Sequence, residues 1–190
     1  MKKKYLIFII TGLSLIIIVS LFIFFNRKNI NDENTLYTIN FENIKLRIER
    51  YDYSLGQNQI VGVERSVNNG NYESITKEPL IVSMEPKFVF LNKNLGFVIS
   101  KSNLTKTNNY LGIKVTSDGG ITFSNGIINY DNPNIEVLTI EDVPYYENDL
   151  LKLSCSIYQI REDKNGYETK NLTFVSTDNG LTWNLELQSD

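Results

Sequence analysis

The sequence predicts an all-β, antiparallel domain carried behind one N-terminal transmembrane helix. Three observations within its 190 residues predict the domain. Short apolar runs recur with period two, no soluble segment holds apolar residues at i, i+3, i+4 and i+7, and one turn motif occurs twice, sixty residues apart.

The helix comes first. Lys2, Lys3 and Lys4 precede an uncharged run of 21 residues from Tyr5 to Phe25, which Arg27 and Lys28 close. At about 1.5 Å per residue the run is roughly 31 Å long, the thickness of a hydrocarbon core. A cleaved secretory signal is the competing reading, but its apolar stretch is usually about 7 to 15 residues and ends at a small-residue site. Here the run ends Phe22-Ile23-Phe24-Phe25-Asn26. Residues 1–28 are therefore expected to be a cytoplasmic tip and an uncleaved single-pass signal-anchor. The larger basic flank precedes the span, so the N-terminus is expected in the cytoplasm and the rest outside it.

Residues 29–36 form a polar linker, and 37–190 are expected to be one extracytoplasmic domain with its own core. Beyond Lys28 the chain carries 14 basic and 22 acidic side chains, a net of -8. That balance argues against nucleic acid as a partner and against a polybasic grip on anionic lipid. The absence of His and the single Cys exclude Ser-His-Asp and Cys-His catalysis, His-ligated zinc, an internal disulfide and a Cys-x-x-Cys redox pair. No cofactor is expected. The use of Lys, Asn and Ile with no Ala favours a bacterial cell envelope.

Strand signals follow in order. Ile44, Leu46 and Ile48 point inward, with Lys45, Arg47 and Glu49 outward. Phe88 to Leu91 and Leu95 to Ile99 form a hairpin around Asn92-Lys93-Asn94. Leu151, Leu153, Cys155 and Ile157 alternate with polar residues, and Tyr167 to Val175 is the return strand after a turn ending Asn165-Gly166.

The most specific feature is the repeat. Thr116-Ser117-Asp118-Gly119-Gly120-Ile121-Thr122-Phe123 recurs as Ser176-Thr177-Asp178-Asn179-Gly180-Leu181-Thr182-Trp183. A third, degenerate copy lies at Ser66, Asn68 and Gly70, without the Asp and Thr. In such a turn the carboxylate accepts backbone N–H groups, Gly supplies positive φ, and the aromatic residue opens the outgoing strand.

This pattern resembles the Asp box, or bacterial neuraminidase repeat, of sialidases and photosystem-assembly-type β-propellers. The resemblance spans about residues 60–190. It implies blade-like antiparallel meanders, with each box between the third and fourth strands of a blade and away from the ligand face. Asp118 and Asp178 would then form turns rather than perform catalysis or bind calcium. Propellers typically have 4 to 8 blades, and the spacings leave room for about three. A partial propeller, a sandwich, and closure by oligomerisation with another chain all remain open.

Three sets of residues are candidates for function. Leu46-Arg47-Ile48-Glu49 echoes the sialidase Phe-Arg-Ile-Pro signature, but an alternating strand accounts for it. Glu136, Glu141, Asp142, Glu147 and Asp149 match no calcium loop and read as solvated connections. Tyr130, Tyr145, Tyr146, Tyr158 and Tyr167 suit either a glycan platform or ordinary sheet packing. The expectation is a non-catalytic membrane-anchored binding or scaffold module whose partner is an envelope protein or a glycan. The alternative is a sialidase-like glycoside hydrolase active only as an oligomer.

Overall fold

The computed structural model describes residues 34–54, 58–100, 103–104, 112–130, 135–161 and 165–186. The expected membrane anchor and most of the linker lie outside these residues. Among the described residues no helix is long and apolar enough to cross a membrane. Every described regular element is a strand.

A compact unit begins at Tyr37, and its first meander is a five-stranded sheet. β1 (Thr35–Phe41), β2 (Ile44–Tyr53), β3 (Gln59–Val67) and β4 (Glu73–Ser74) follow one another, and β5 (Leu80–Val82) also pairs with β3. Only Glu42 and Asn43 join β1 to β2, with Glu42 at φ 47. So short a connection requires antiparallel strands. Leu46 and Ile48 of β2 meet Val61 and Val63 of β3 on the buried face. The register slips between Arg50 and Asp52, where Tyr51 bulges.

The second meander is β6 (Lys87–Phe90), β7 (Gly96–Ile99), β9 (Ile113–Thr116) and β10 (Ser124–Asn129), paired in that order. β8 (Asn103–Leu104) leaves it to pair with the next meander. The third is β11 (Ile135–Ile140) with β12 (Tyr145–Glu147), then β13 (Leu150–Ile160), β14 (Tyr167–Ser176) and β15 (Thr182–Leu185). β11 and β12 pair with successive stretches of β13 and act as one interrupted strand. The interruption coincides with Pro144, which has no N–H to give a ladder. Asn148 and Asp149, at φ 50 and 62, close the tight turn into β13.

The last strands of these two meanders pair with each other in parallel, Ile128 opposite Trp183, so one ten-stranded sheet contains both. It curls into a half-barrel. Phe97, Ile113, Leu138, Leu153, Phe174 and Trp183, each at most 1% exposed, lie in its core. The alternation of β13 has a direct cause: Leu151, Leu153, Cys155 and Ile157 face that core, while Ser154, Ser156 and Tyr158 face away.

The two sheets are joined through the 75–77 segment. Thr76 Oγ1 accepts the Val63 N–H at 2.7 Å and donates to the Gly120 carbonyl at 2.8 Å. Lys77 N–H donates to the Ile121 carbonyl at 2.9 Å, and Ser83 N–H reaches the Ser100 carbonyl at 3.1 Å.

Candidate functional site

The two copies of the repeated motif occupy the same place in successive meanders. One links the third strand, β9, to the fourth, β10; the other links β14 to β15. The strand registers also repeat, with Val115 opposite Ser124 and Val175 opposite Asn184, sixty residues on.

The local chemistry is nearly superimposable. Asp118 Oδ1 accepts the Thr116 hydroxyl at 2.8 Å, the Ile121 N–H at 3.0 Å and the Thr122 N–H at 2.9 Å. Its Oδ2 accepts the Thr122 hydroxyl at 2.6 Å. Asp178 accepts the Ser176 hydroxyl at 2.8 Å, the Thr182 N–H at 2.9 Å and the Thr182 hydroxyl at 2.6 Å. Each opening hydroxyl also accepts the glycine N–H, Gly120 to Thr116 and Gly180 to Ser176, both at 2.8 Å. The hydroxyl thus serves as both donor and acceptor, which explains why Ser and Thr interchange at this position.

Partial burial pushes the Asp118 carboxyl up, but the donors of Thr122, Thr116 and Ile121 outweigh it and hold the group below its ordinary value. Asp178 is lowered by the same balance, with Thr182, Ser176 and its own N–H supplying the donors against burial. Both carboxylates are occupied by their own turns. Among the described residues no three Asp, Glu or Cys side chains converge as a metal-ligand set.

The glycines serve longer-range packing. Gly120 has φ +96, and a Cβ there would lie 2.4 Å from Val63 Cγ2. Gly180 has φ +87, and a Cβ would lie 2.3 Å from Phe97 Cε1. One turn therefore seats the first sheet and the other seats β7. Trp183 is fully buried against Phe97, edge to face at 6.1 Å, and its indole N–H has no hydrogen-bond partner among the described residues. Its counterpart Phe123 is only half-buried and, with Lys77, Leu80, Lys114 and Ile121, lines a cleft of about 310 Å³ beside the first turn.

The degenerate copy is built differently. Asn68 and Asn69 take φ 52 and 59, the Gly70 N–H donates to the Val67 carbonyl at 2.9 Å, and the Ser66 hydroxyl donates to the Gly70 carbonyl at 2.7 Å. The positive-φ pair sits one residue earlier than in the Asp118 turn, as a two-residue hairpin turn of type I′ pattern. With Asn68 in place of Asp and Tyr72 in place of Thr, the Ser66 hydroxyl donates to the Gly70 carbonyl instead of receiving the glycine N–H.

The remaining candidate residues are scattered or already engaged. Arg47 donates to Glu64 Oε2 at 2.7 and 2.9 Å, lies 3.5 Å from Glu49, and stands 4.0 Å over the Tyr72 ring. Glu49 is only 8% exposed, so the strand face expected to point outward is covered there. In the acidic stretch Glu141 accepts the Ser156 hydroxyl, Asp142 accepts the Val143 N–H, and Glu147 pairs with Lys152. Lys152 bridges Glu147 and Glu186, and their hydrogen bonds raise its pKa. The tyrosines divide into separate places. Tyr158 and Tyr167 stack at 4.8 Å at one end of β13–β14, Tyr145 and Tyr146 stand exposed at the other end, and Tyr130 packs on Phe174.

Comparison of the chain with protein-family models, with curated proteins and with solved structures finds no match.

Proposed function

We propose that this protein is a membrane-anchored, extracytoplasmic binding or scaffold module of the Asp-box type, without catalysis of its own. One observation carries this reading: the same hydroxyl, carboxylate and glycine hydrogen-bond set recurs around Asp118 and Asp178, each time between the third and fourth strands of a meander. In this reading each meander is a blade-like unit and its box is an architectural turn. The parallel pairing of β10 with β15 joins the blades through their fourth strands, which favours an open partial assembly over a ring.

The engaged side chains support the non-catalytic half of the proposal. Arg47 is held by Glu64 and Tyr72, so it offers no open guanidinium fork to a substrate carboxylate. The 21-residue apolar run and its basic flanks supply the anchored half.

Two experiments test the proposal. A reporter fused after Asp190 is expected to be active only outside the cytoplasm, and a cytoplasmic signal would overturn the location. Cross-linking in intact membranes is expected to capture an envelope protein, whereas binding on a glycan array would identify the partner as a glycan. Glycosidase turnover abolished by Arg47→Ala or Glu49→Gln would replace the proposal with the hydrolase reading.

A further inference from the structure

Four glycines of the chain follow an asparagine: Gly70, Gly126, Gly166 and Gly180. In an Asn-Gly pair the glycine nitrogen can attack the side-chain amide that precedes it, because no Cβ blocks the approach and the backbone turns freely into the attacking geometry. The fold treats the four pairs differently.

Three of them are restrained. The Gly70 N–H donates to the Val67 carbonyl at 2.9 Å, and the buried Gly180 N–H donates to the Ser176 hydroxyl at 2.8 Å. Asn125 and Gly126 lie inside β10, in register with Lys114 and Ile113 of β9. There Lys114 Nζ donates to Asn125 Oδ1 at 2.5 Å, and a Cβ on Gly126 would lie 2.8 Å from the Gly180 carbonyl oxygen. A nitrogen that must first leave a hydrogen bond of ordinary strength reacts about tenfold more slowly.

The fourth pair is open. Asn165 and Gly166 are both exposed at the end of the turn between β13 and β14, and a Cβ on Gly166 would meet nothing within 4 Å. Gly166 joins the turn through its carbonyl, which accepts the Arg161 N–H at 3.0 Å, while its own N–H has no hydrogen bond among the described residues. Strand pairing resumes only at Tyr167, opposite Ile160. A succinimide ring can therefore close at this pair without breaking a ladder bond or displacing a neighbour.

We infer that Asn165 is a modification site, at which the folded chain converts asparagine to aspartate and isoaspartate without an enzyme. The Gly166 nitrogen gives its proton to solvent and attacks Asn165 Cγ, so that a C–N bond forms as the Cγ–Nδ2 bond breaks and ammonia leaves. Water then opens the ring. Attack at Cγ gives aspartate with the ordinary chain, and attack at the main-chain carbonyl carbon gives isoaspartate, with the chain routed through Cβ. The sum is an amide and water giving a carboxylate and ammonium, with nothing oxidised or reduced. The new charge joins a stretch of sequence that already holds Glu162, Asp163 and Glu168. Isoaspartate also lengthens the main chain just outside the Ile160 and Tyr167 pair, so the stacked Tyr158 and Tyr167 rings are the first contact it reaches.

The test uses the full chain in detergent, held in warm, mildly alkaline buffer with and without urea, and follows all four asparagines by peptide mapping and mass spectrometry. In the folded chain Asn165 is expected to convert about tenfold faster than Asn69, Asn125 and Asn179. In urea no nitrogen is held, and the four rates are expected to converge. A rate at Asn69, Asn125 or Asn179 that matches Asn165 in the folded chain would overturn the inference, as would an Asn165 rate that rises in urea as much as the others. Gly166→Ala, with its folding checked by Trp183 fluorescence, is expected to slow conversion at Asn165 by about tenfold, because the new Cβ hinders the attacking nitrogen. An unchanged rate in that variant, giving aspartate without isoaspartate, would assign the reaction to direct attack by water and overturn the ring-closing route.

Discussion

Replacing Gly180 with Ala probes the repeated turn where it meets the core. The added Cβ faces two separate penalties. At φ +87 an L-residue sits in left-handed territory, at about 1–2 kcal/mol. The Cβ would also lie 2.3 Å from Phe97 Cε1 and 2.8 Å from Cζ, and Phe97 is only 1% exposed, so the ring has no solvent to swing into. Overpacking of this kind costs about 1–3 kcal/mol. The expected total is about 2–5 kcal/mol, read as a melting temperature lowered by about 2–4 °C for each kcal/mol. Trp183, the single tryptophan of the chain, sits beside both residues and supplies the fluorescence signal for unfolding. Two controls separate the penalties. Gly166→Ala has φ +110 but no neighbour within 4 Å, so it carries backbone strain alone. In a Phe97→Leu background the ring is gone, and Gly180→Ala should again cost only its strain, giving a coupling of about 1–3 kcal/mol. Equal losses for Gly180→Ala and Gly166→Ala, or additive behaviour with Phe97→Leu, would refute the seating of β7 on the turn.

The Asp118 and Asp178 carboxylates should make stability fall in acid. Their folded pKa values lie below the unfolded reference of 3.8, so their contribution is full above that value and is lost as pH falls through the folded one. Asp118→Asn should flatten the stability profile between about pH 5 and 2, and an unchanged slope in urea titrations would contradict this. Thr76→Val keeps the shape but leaves the Val63 N–H and the Gly120 carbonyl without their partner, at about 1–3 kcal/mol, measurable by chemical denaturation. Trp183→Ala should cost about 3–5 kcal/mol. Trp183→Phe should cost far less, because it keeps an aromatic ring while removing a buried, unpartnered N–H; circular dichroism melts distinguish the two. Cys155 should resist thiol reagents at pH 8 until the chain is unfolded, and rapid native labelling would place it outside the core.

What could be read from the sequence was whatever is local. The period of two in β13 is visible because each apolar residue from Leu151 to Ile157 meets one continuous core, and the hairpin at 88–99 is visible through its short polar turn. The repeated turns are legible for the same reason: every donor to Asp118 or Asp178 lies within four residues of it. Contacts between distant segments left no such trace. Nothing in the composition of the turns indicates that Gly120 faces Val63 or that Gly180 faces Phe97. Glu49 alternates as an outward residue yet is covered, because Arg47, Glu64 and Tyr72 build a charged layer over that face. The Ser66 turn kept the Ser and Gly of the motif but moved its positive-φ pair by one position, a conformational shift that spelling alone does not reveal. The tyrosines grouped in sequence were divided by strand length, since β13 carries Tyr158 to one end of the sheet and sets Tyr145 against Lys152 near the other.

The parallel pairing of β10 and β15 also orders events in time. β15 is made last among the described strands, yet it lies inside the ten-stranded sheet, between β10 and β14. Before it arrives both neighbours present bare edges, and Ile128 waits for Trp183 across 55 positions of chain. Such distant closure is entropically slow, and bare edges are sites of mispairing. A chain synthesised from its N-terminus would therefore hold the second meander half-finished until the Asp178 turn has emerged and folded. The Asp178 turn, which forms from contacts within a few residues, is then the step that delivers the central strand and ends the exposure of both edges.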